Sequence, residues 1–346
     1  MAPSIDELRH ELETFIGASA GGEARVTGLR PIAGGASRET WAVDVTVAAG
    51  PEAGEHALVM RRDMATTMNP NALDRAQEFR LLQAAHRAGV LAPRPRWLAA
   101  HAAPPFFLMD RVEGESIGRR VVRERELADA RRILPEQMAR QLALIHQIDP
   151  DREDLGLRSV PRPADGLSPA LDIAGKMRAA LVALGVHDPL FETALRWLEA
   201  NAPRCERMLL LHGDFRVGNL IVGPEGLRAV IDWEFAHVGD PLEDVAWPCV
   251  RDWRFGRDEL RVGGVGDLEP YLAAYEQASG RRVERSAVRY WEIMGNLKWG
   301  VTCLVQAQRH LSGEDPSVEL ASLGRRSAEM QWELLDLIER ELVNGW

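Results

Sequence analysis

Three oxygen-bearing side chains set the chemistry open to this 346-residue chain: Asp214, Asn219 and Asp232. Asp214 and Asn219 belong to His212-Gly213-Asp214-x-x-x-x-Asn219, which follows the apolar run MLLL. Asn219 opens the segment NLIVG, a Gly223-Pro224-Glu225-Gly226 turn follows, and LRAVIDW carries Asp232 near its end. Apolar, β-branched runs around a Gly/Pro turn predict a hairpin. Across its ladder Asn219 and Asp232 fall nearly opposite each other at the open end. Asp214, on the loop leaving the preceding strand, can bring a carboxylate to the same end. An Asp, an Asn and a second Asp converging there make a hard-cation site suited to Mg²⁺ with phosphate oxygens. Either half of the pattern is common by itself. Their combination in one order, loop, strand, turn, strand and Asp, is a much stronger signal.

Other elements must hold these groups. Between Arg25 and Arg62 the chain reads as strands, RVTGLRPI, ETWAVDVTV and HALVMRR, an antiparallel meander. Residues 71–88 place Leu73, Ala76, Phe79, Leu82 and Ala85 on one helical stripe. Prolines at 93, 95, 104 and 105 break the pattern, and PFFLMDRV reads as a further strand. Beyond it PEQMARQLALIHQI and LFETALRWLEAN are amphipathic helices, and the hairpin is an interruption in a helical region. The division predicted is residues 1–110 as one lobe and 111–346 as a second.

Composition narrows the partners. Asp and Glu number 52 against 42 Lys and Arg, a formal charge of −10, which argues against a nucleic-acid partner that would need a positive surface. Cys205, Cys249 and Cys303 lie far apart with no C-x-x-C spacing, so they predict buried thiols rather than a disulfide framework or zinc site. No apolar run approaches the ~18 residues of a membrane span. The acidic helical start, MAPSIDELRHELETF, is unlike a signal peptide, so a cytoplasmic protein with no membrane partner is expected.

LLLHGDFRVGNLIV followed by AVIDWEFAHVGDPLEDVAW resembles the aminoglycoside phosphotransferase-like branch of the kinase-like fold, which is also similar to choline and fructosamine kinases. That branch has H-G-D and I-D-W-E where protein kinases have H-R-D and D-F-G. The resemblance implies an α+β, two-lobe fold: an N-terminal antiparallel sheet plus helix, then a mostly helical lobe holding the catalytic hairpin. It implies a kinase that uses Mg²⁺ and ATP or GTP to phosphorylate a hydroxyl of a small molecule. Asp214 would be the catalytic base, and Asn219 and Asp232 would hold the metal. His212 would support the loop by hydrogen bonding. The acids of Gly239-Asp240-Pro241, Glu243 and Asp244 would cap a helix and brace the loop.

For the nucleotide, the segment with Gly34, Gly35 and Ser37 stands where a phosphate-covering loop belongs, although G-G-A-S departs from G-x-G-x-x-G and also suits a plain turn. Arg61 would take the place of the usual Lys and pair with Glu78, with Arg62 as a competing candidate. Phe107 to Met109 resemble the hinge whose backbone reads an adenine ring. Arg61 and the irregular loop leave a second reading open, a nucleotide-binding pseudokinase that regulates a partner. A metal-dependent phosphohydrolase ranks third, because no second metal cluster is visible.

The acceptor is a small hydroxylated molecule that the residues do not name, and they do not set an oligomeric state. Trp247, Trp253, Trp291 and Trp299 follow the metal-Asp motif, where the family builds its acceptor pocket, although core packing is the commoner use of such a residue and is favoured for each. Residues 251–300 hold nine Lys/Arg against eight Asp/Glu, too balanced for a polycationic aminoglycoside. With Arg251 and Arg254 beside Trp253, the mixture suits an anionic or partly apolar acceptor. Kinase domains associated with acyl-CoA metabolism offer an analogy.

Overall fold

A period of two decides which face of the first sheet each side chain serves. The computed structural model describes residues 4–32, 38–63, 72–161 and 166–344. Strands β1 (Ala24–Pro31), β2 (Arg38–Val47), β3 (Gly54–Asp63), β4 (Pro95–Ala99) and β5 (Phe106–Asp110) form a five-stranded antiparallel sheet in the order β1-β2-β3-β5-β4. On β3, Leu58, Met60 and Arg62 face helix α1 (Ile5–Ala20), whose Leu8, Leu12 and Ile16 complete a small apolar core with Val43, Val45 and Leu108. Val59 and Arg61 alternate to the other face, toward helix α2 (Arg75–Arg87).

The stripe expected over 71–88 forms α2, but the helix begins later than expected. Asp74 caps it, its carboxylate accepting from the Gln77 N–H at 2.7 Å while the Gln77 side chain accepts from the Asp74 N–H at 3.2 Å. The prolines at 93 and 95 predict a break where strand β4 stands. Pro95 instead opens a short strand at the sheet edge, where its missing N–H costs nothing.

The helical part contains α3 (Gly118–Arg123), α4 (Ala128–Ile145), α5 (Ala170–Ala183), α6 (Pro189–Ala200), α7 (Pro241–Ala246), α8 (Leu268–Ser279), α9 (Arg285–Leu311) and α10 (Val318–Asn344). The predicted hairpin is present as β7 (Leu220–Gly223) and β8 (Gly226–Val230). The apolar run before it forms β6 (Leu209–Leu211), which pairs with β9 (His237–Gly239), a strand the sequence reading did not contain. A continuous core joins Val59, Phe79 and Phe107 to Leu142, Leu210, Trp233 and Trp291, so apolar packing crosses the expected boundary at 110. All three cysteines are buried and free. Among the described residues, no helix is long and apolar enough to cross a membrane.

Candidate active site

The loop between β6 and β7 is shaped by one buried carboxylate. Asp244 of α7 accepts the backbone N–H groups of His212 at 2.6 Å and Gly213 at 2.9 Å. Burial works to raise the Asp244 pKa, but hydrogen bonding and charge at His146 and the donors from His212 outweigh it and hold the group below the usual carboxylate value. Gly213 has φ of +80°, and a Cβ there would collide with the Phe235 carbonyl, so the middle residue of H-G-D is confined to glycine. His212 is buried and its pKa is lowered by that burial. Its Nε2–H donates to the Ile231 carbonyl at 3.0 Å, and its Nδ1 accepts the Asp214 N–H at 3.3 Å. A neutral ring therefore ties the Asp214 loop to the residue preceding Asp232.

The Asp214 carboxylate is oriented by donors on both oxygens. Asn219 Nδ2 donates to Oδ2 at 2.6 Å and to the Asp214 carbonyl at 2.8 Å. Arg216 Nε forks to Oδ1 and Oδ2 at 3.1 and 3.2 Å, and the Trp247 indole N–H reaches Oδ1 at 2.7 Å. The Arg216 guanidinium in turn lies 4.5 Å from the Trp253 ring centroid. Arg216 had no role in the sequence reading, and Trp247 entered it only as one of four tryptophans. A lone cation inside the apolar segment DFRVGNL was the available signal for Arg216; nothing local marked Trp247.

The hairpin brings its two ends together as the spacing required, with the Ile231 N–H donating to the Asn219 carbonyl at 2.9 Å. Asp232 then adopts a left-handed conformation, φ 63° and ψ 58°. Asp is among the few residue types that tolerate it, and held conformations of this kind cluster at functional sites.

Arg61 meets Asp232 through Nη1, lies 3.4 Å from Glu78 Oε1 through Nε, and stands 4.0 Å from Glu234 through Nη2. Burial alone would lower the Arg61 pKa, but Glu78, Asp232 and Glu234 outweigh it and raise it above the ordinary value. Arg61 likewise overcomes desolvation at Asp232 and holds that carboxyl below its usual value. Glu78 is shared, since it also pairs with Arg75. Arg62 points to the opposite face and pairs with Glu11 of α1 at 3.3 Å, so strand alternation sends only Arg61 to the site.

Among the described residues no group of three or more His, Cys, Asp or Glu side chains forms a ready metal cage. The donor set nevertheless fits Mg²⁺ of the kind that shares its shell with phosphate oxygens and water. Asn219 makes its two side-chain hydrogen bonds through Nδ2, which leaves its carbonyl oxygen, and Arg61 meets Asp232 at Oδ1, which leaves Oδ2.

Three candidates for nucleotide contact, Gly34, Gly35 and Ser37, lie outside the described residues. Phe107 and Met109 are placed differently from the expected hinge. Strand β5 is internal, with Phe107 opposite Arg61 and Leu98 and Met109 opposite Val59 and Pro95, so both strand edges face neighbours. The Phe107 side chain is fully buried, edge-on to Phe79 at 5.9 Å, and Met109 belongs to the same core. Their backbone and side chains serve the sheet, because a central strand has no free edge to offer a base.

Around α7, Asp240 caps the helix by accepting the Leu242 N–H at 2.9 Å and also accepts the Ser168 hydroxyl at 2.8 Å. Glu243 pairs with Lys298 at 2.9 Å and stands 3.4 Å from His237. Lys298 lies 4.9 Å from the Trp247 ring, so this pair supports the indole that donates to Asp214. Burial works to raise the Glu243 pKa, yet Lys298 and His237 hold it well below the usual glutamate range. Its contribution to stability is therefore present above the ordinary glutamate pKa of about 4.3 and is lost as pH falls through the lower folded value. Glu243→Gln should cost about 3 kcal/mol in urea melts at neutral pH, because Lys298 and His237 lose their counter-charge. The deficit relative to wild type should shrink in acid.

Arg254, grouped with Arg251 in the sequence reading, is instead buried and bonded to Glu292 at 2.9 Å, Glu333 at 2.8 Å and the Cys249 carbonyl, where it joins α9 to α10. Trp247, Trp253 and Trp299 pack in a small cluster with Val250 and Met330, whereas Trp291 lies in the main core.

The model of the phosphotransferase enzyme family matches residues 28–291. Among curated proteins, mouse acyl-CoA dehydrogenase family member 10 is 30% identical over 239 residues, 64% of this chain and 22% of its own length. Chicken acyl-CoA dehydrogenase family member 11 is 27% identical over 238 residues, 65% of this chain and 29% of its own. The chain thus spans less than a third of the curated relatives it matches.

A Ralstonia eutropha protein provisionally named an aminoglycoside phosphotransferase superposes with TM-score 0.68 at 20% identity, covering 94% of this chain and 97% of that one. The GDP complex of aminoglycoside 2'-phosphotransferase-IIIa gives 0.60 at 14%, with coverage of 94% and 97%. Choline kinase from Cryptosporidium parvum gives 0.59 at 10%, with coverage of 92% and 90%. These likenesses show the kinase-like α+β fold. The matched span holds β2 to β5, the Asp214 loop, the hairpin and α7, and the chain belongs to the phosphotransferase enzyme family.

Proposed function

We infer that the chain is an active small-molecule kinase moving the γ-phosphoryl group of Mg·ATP or Mg·GTP to a hydroxyl of a small acceptor. The observation that carries this is the Asp214 carboxylate held by Asn219, Arg216 and Trp247, while the Asn219 carbonyl and one Asp232 oxygen stay available beside it. Asp214 orients the acceptor hydroxyl and accepts its proton as the oxygen attacks the γ-phosphorus. Asn219 and Asp232 would hold Mg²⁺, which supplies charge neutralisation at the β- and γ-phosphates. Arg216, forked onto Asp214, adds positive charge next to the site of transfer. The test is nucleoside diphosphate formation across a panel of hydroxylated metabolites.

Arg61 is assigned the phosphate contact usually made by Lys. Arg61→Ala should raise nucleotide KM and lower kcat, and Glu78→Ala should do the same. The double variant should fall short of additivity by roughly 0.5–3 kcal/mol. Full additivity would remove the pairing from the mechanism.

A nucleotide-binding pseudokinase is the second reading, favoured by the Arg61–Asp232 pair that occupies a proposed metal ligand. Thermal shift with Mg·ATP but no diphosphate with any acceptor would establish it.

For the acceptor we infer a hydroxylated compound with a carboxylate, thioester or apolar portion. The balanced charge of residues 251–300 and the names of the acyl-CoA dehydrogenase relatives support it. Aminoglycosides should be poor substrates, because a polycation would face Arg216 and Lys298 around the Trp247 indole. A kcat/KM for kanamycin above ~10⁴ M⁻¹s⁻¹ would overturn this.

A further inference from the structure

An open cavity of about 330 Å³ lies between α3, the segment 251–258 and the face of α10 that carries Arg326. Four arginines line it: Arg119 and Arg123 from α3, Arg251, and Arg326. Two of them are committed. Arg251 bonds Asp258 at 2.7 Å and Glu333 at 2.9 Å and stacks 4.7 Å from the Trp332 ring. Arg326 pairs with Asp252, which also accepts the Trp299 indole N–H at 2.6 Å.

Arg119 and Arg123 differ. They stand one helical turn apart on α3 and are exposed, and among the described residues neither has a carboxylate partner. Arg123 only donates to the Phe255 carbonyl at 2.7 Å. Against these two cations the cavity offers one further acid, Glu329. An uncompensated positive charge thus remains, carried by two guanidinium forks that match the geometry of phosphate and carboxylate oxygens.

Both walls of the cavity are linked through neighbouring residues to the loop that carries the candidate base. Gly118, next to Arg119, packs so closely that a Cβ would fall 3.2 Å from the Gly218 Cα and 2.5 Å from the Phe255 ring, and Gly218 precedes Asn219. On the other wall, Asp252 precedes Trp253, whose ring lies beside Arg216, the residue bonded to Asp214.

We propose that this cavity is an oxyanion subsite that recognises a phosphate ester or carboxylate on the acceptor, with Arg119 and Arg123 determining specificity. The word acceptor rests on the kinase function inferred above; anion binding does not. Inorganic phosphate shares the chemistry, so the experiment separates a substituent of the acceptor from a free anion.

The full chain, without nucleotide, is titrated calorimetrically with glycerol 3-phosphate and with glycerol. Glycerol 3-phosphate should bind and glycerol should not. Arg119→Ala/Arg123→Ala should weaken binding by about tenfold or more, and Arg119→Lys/Arg123→Lys, which keeps charge without the forks, should fall between. Glu329→Gln, which removes the opposing acid, should tighten it. Unchanged binding by the double Ala variant with a wild-type melting temperature would overturn the subsite, and so would equal binding of glycerol.

Turnover supplies the second arm. Across acceptor pairs that differ only by a phosphate or carboxylate, the anionic member should have the higher kcat/KM, and the gap should close in Arg119→Ala/Arg123→Ala. Stimulation of the neutral member by inorganic phosphate would replace the acceptor subsite with an effector site. Absence of turnover with every acceptor, alongside arginine-dependent binding, would sink the kinase function and leave the anion site standing.

Discussion

Asp214→Asn is expected to bind Mg·nucleotide with wild-type affinity and to turn over acceptor at least about 10²-fold more slowly. The substitution keeps size and leaves the proposed nucleotide contacts intact, so the defect should appear in kcat. One amide oxygen can still accept from Asn219 or from Trp247, which at present reach different oxygens at 2.6 and 2.7 Å. The amide NH₂ would then oppose a donor, either Trp247 or the forked Arg216, and the group could no longer take a proton. A nucleotide titration and steady-state kinetics on the same preparation separate the two effects. Near-normal turnover would remove Asp214 from the role of base, whatever the nucleotide affinity.

Asp232→Asn should act earlier, on binding. A hard cation loses a charged oxygen ligand, and metal-dependent nucleotide affinity should fall by at least about tenfold. Nucleotide affinity measured without divalent metal should not fall, because Arg61, released from Asp232, is freer to meet phosphate and still has Glu78 and Glu234 beside it. Asn also tolerates the left-handed backbone at this position, φ 63°, so the fold should survive and a melt should confirm it. Equal loss with and without metal would show that Asp232 serves the site in some way other than as a ligand.

The two substitutions therefore separate along the reaction coordinate. Asp214 answers in kcat, and Asp232 answers in a metal-dependent Kd. If both failed, the family membership would stand, and the base and the metal ligands would have to be sought among other residues of the chain.

Much of this site was written in short spans of sequence because the geometry involved is local. Four residues separate Asp214 from Asn219, and a two-strand ladder with a Gly-Pro-Glu-Gly turn carries Asn219 to Asp232. Backbone pairing alone brings these ends together, so their types and spacing were enough. The same holds for the alternation of β3 and for the α2 stripe.

Other contacts had no local encoding. Arg61 reaches Asp232 across 171 residues, and Trp247 reaches Asp214 across 33. Period two could say that Arg61 and Arg62 face opposite ways. Which face held the site depended on α1 covering one side of the sheet and α2 the other. Phe107 and Met109 read as a hinge until β4, hidden behind Pro95, proved to flank β5 and close its free edge. The sequence by itself determined which candidate groups meet and how the hairpin pairs them. Packing between distant elements decided which cation, which indole and which cavity surround them, because a contact across a core depends on every element that sets its two sides at one distance.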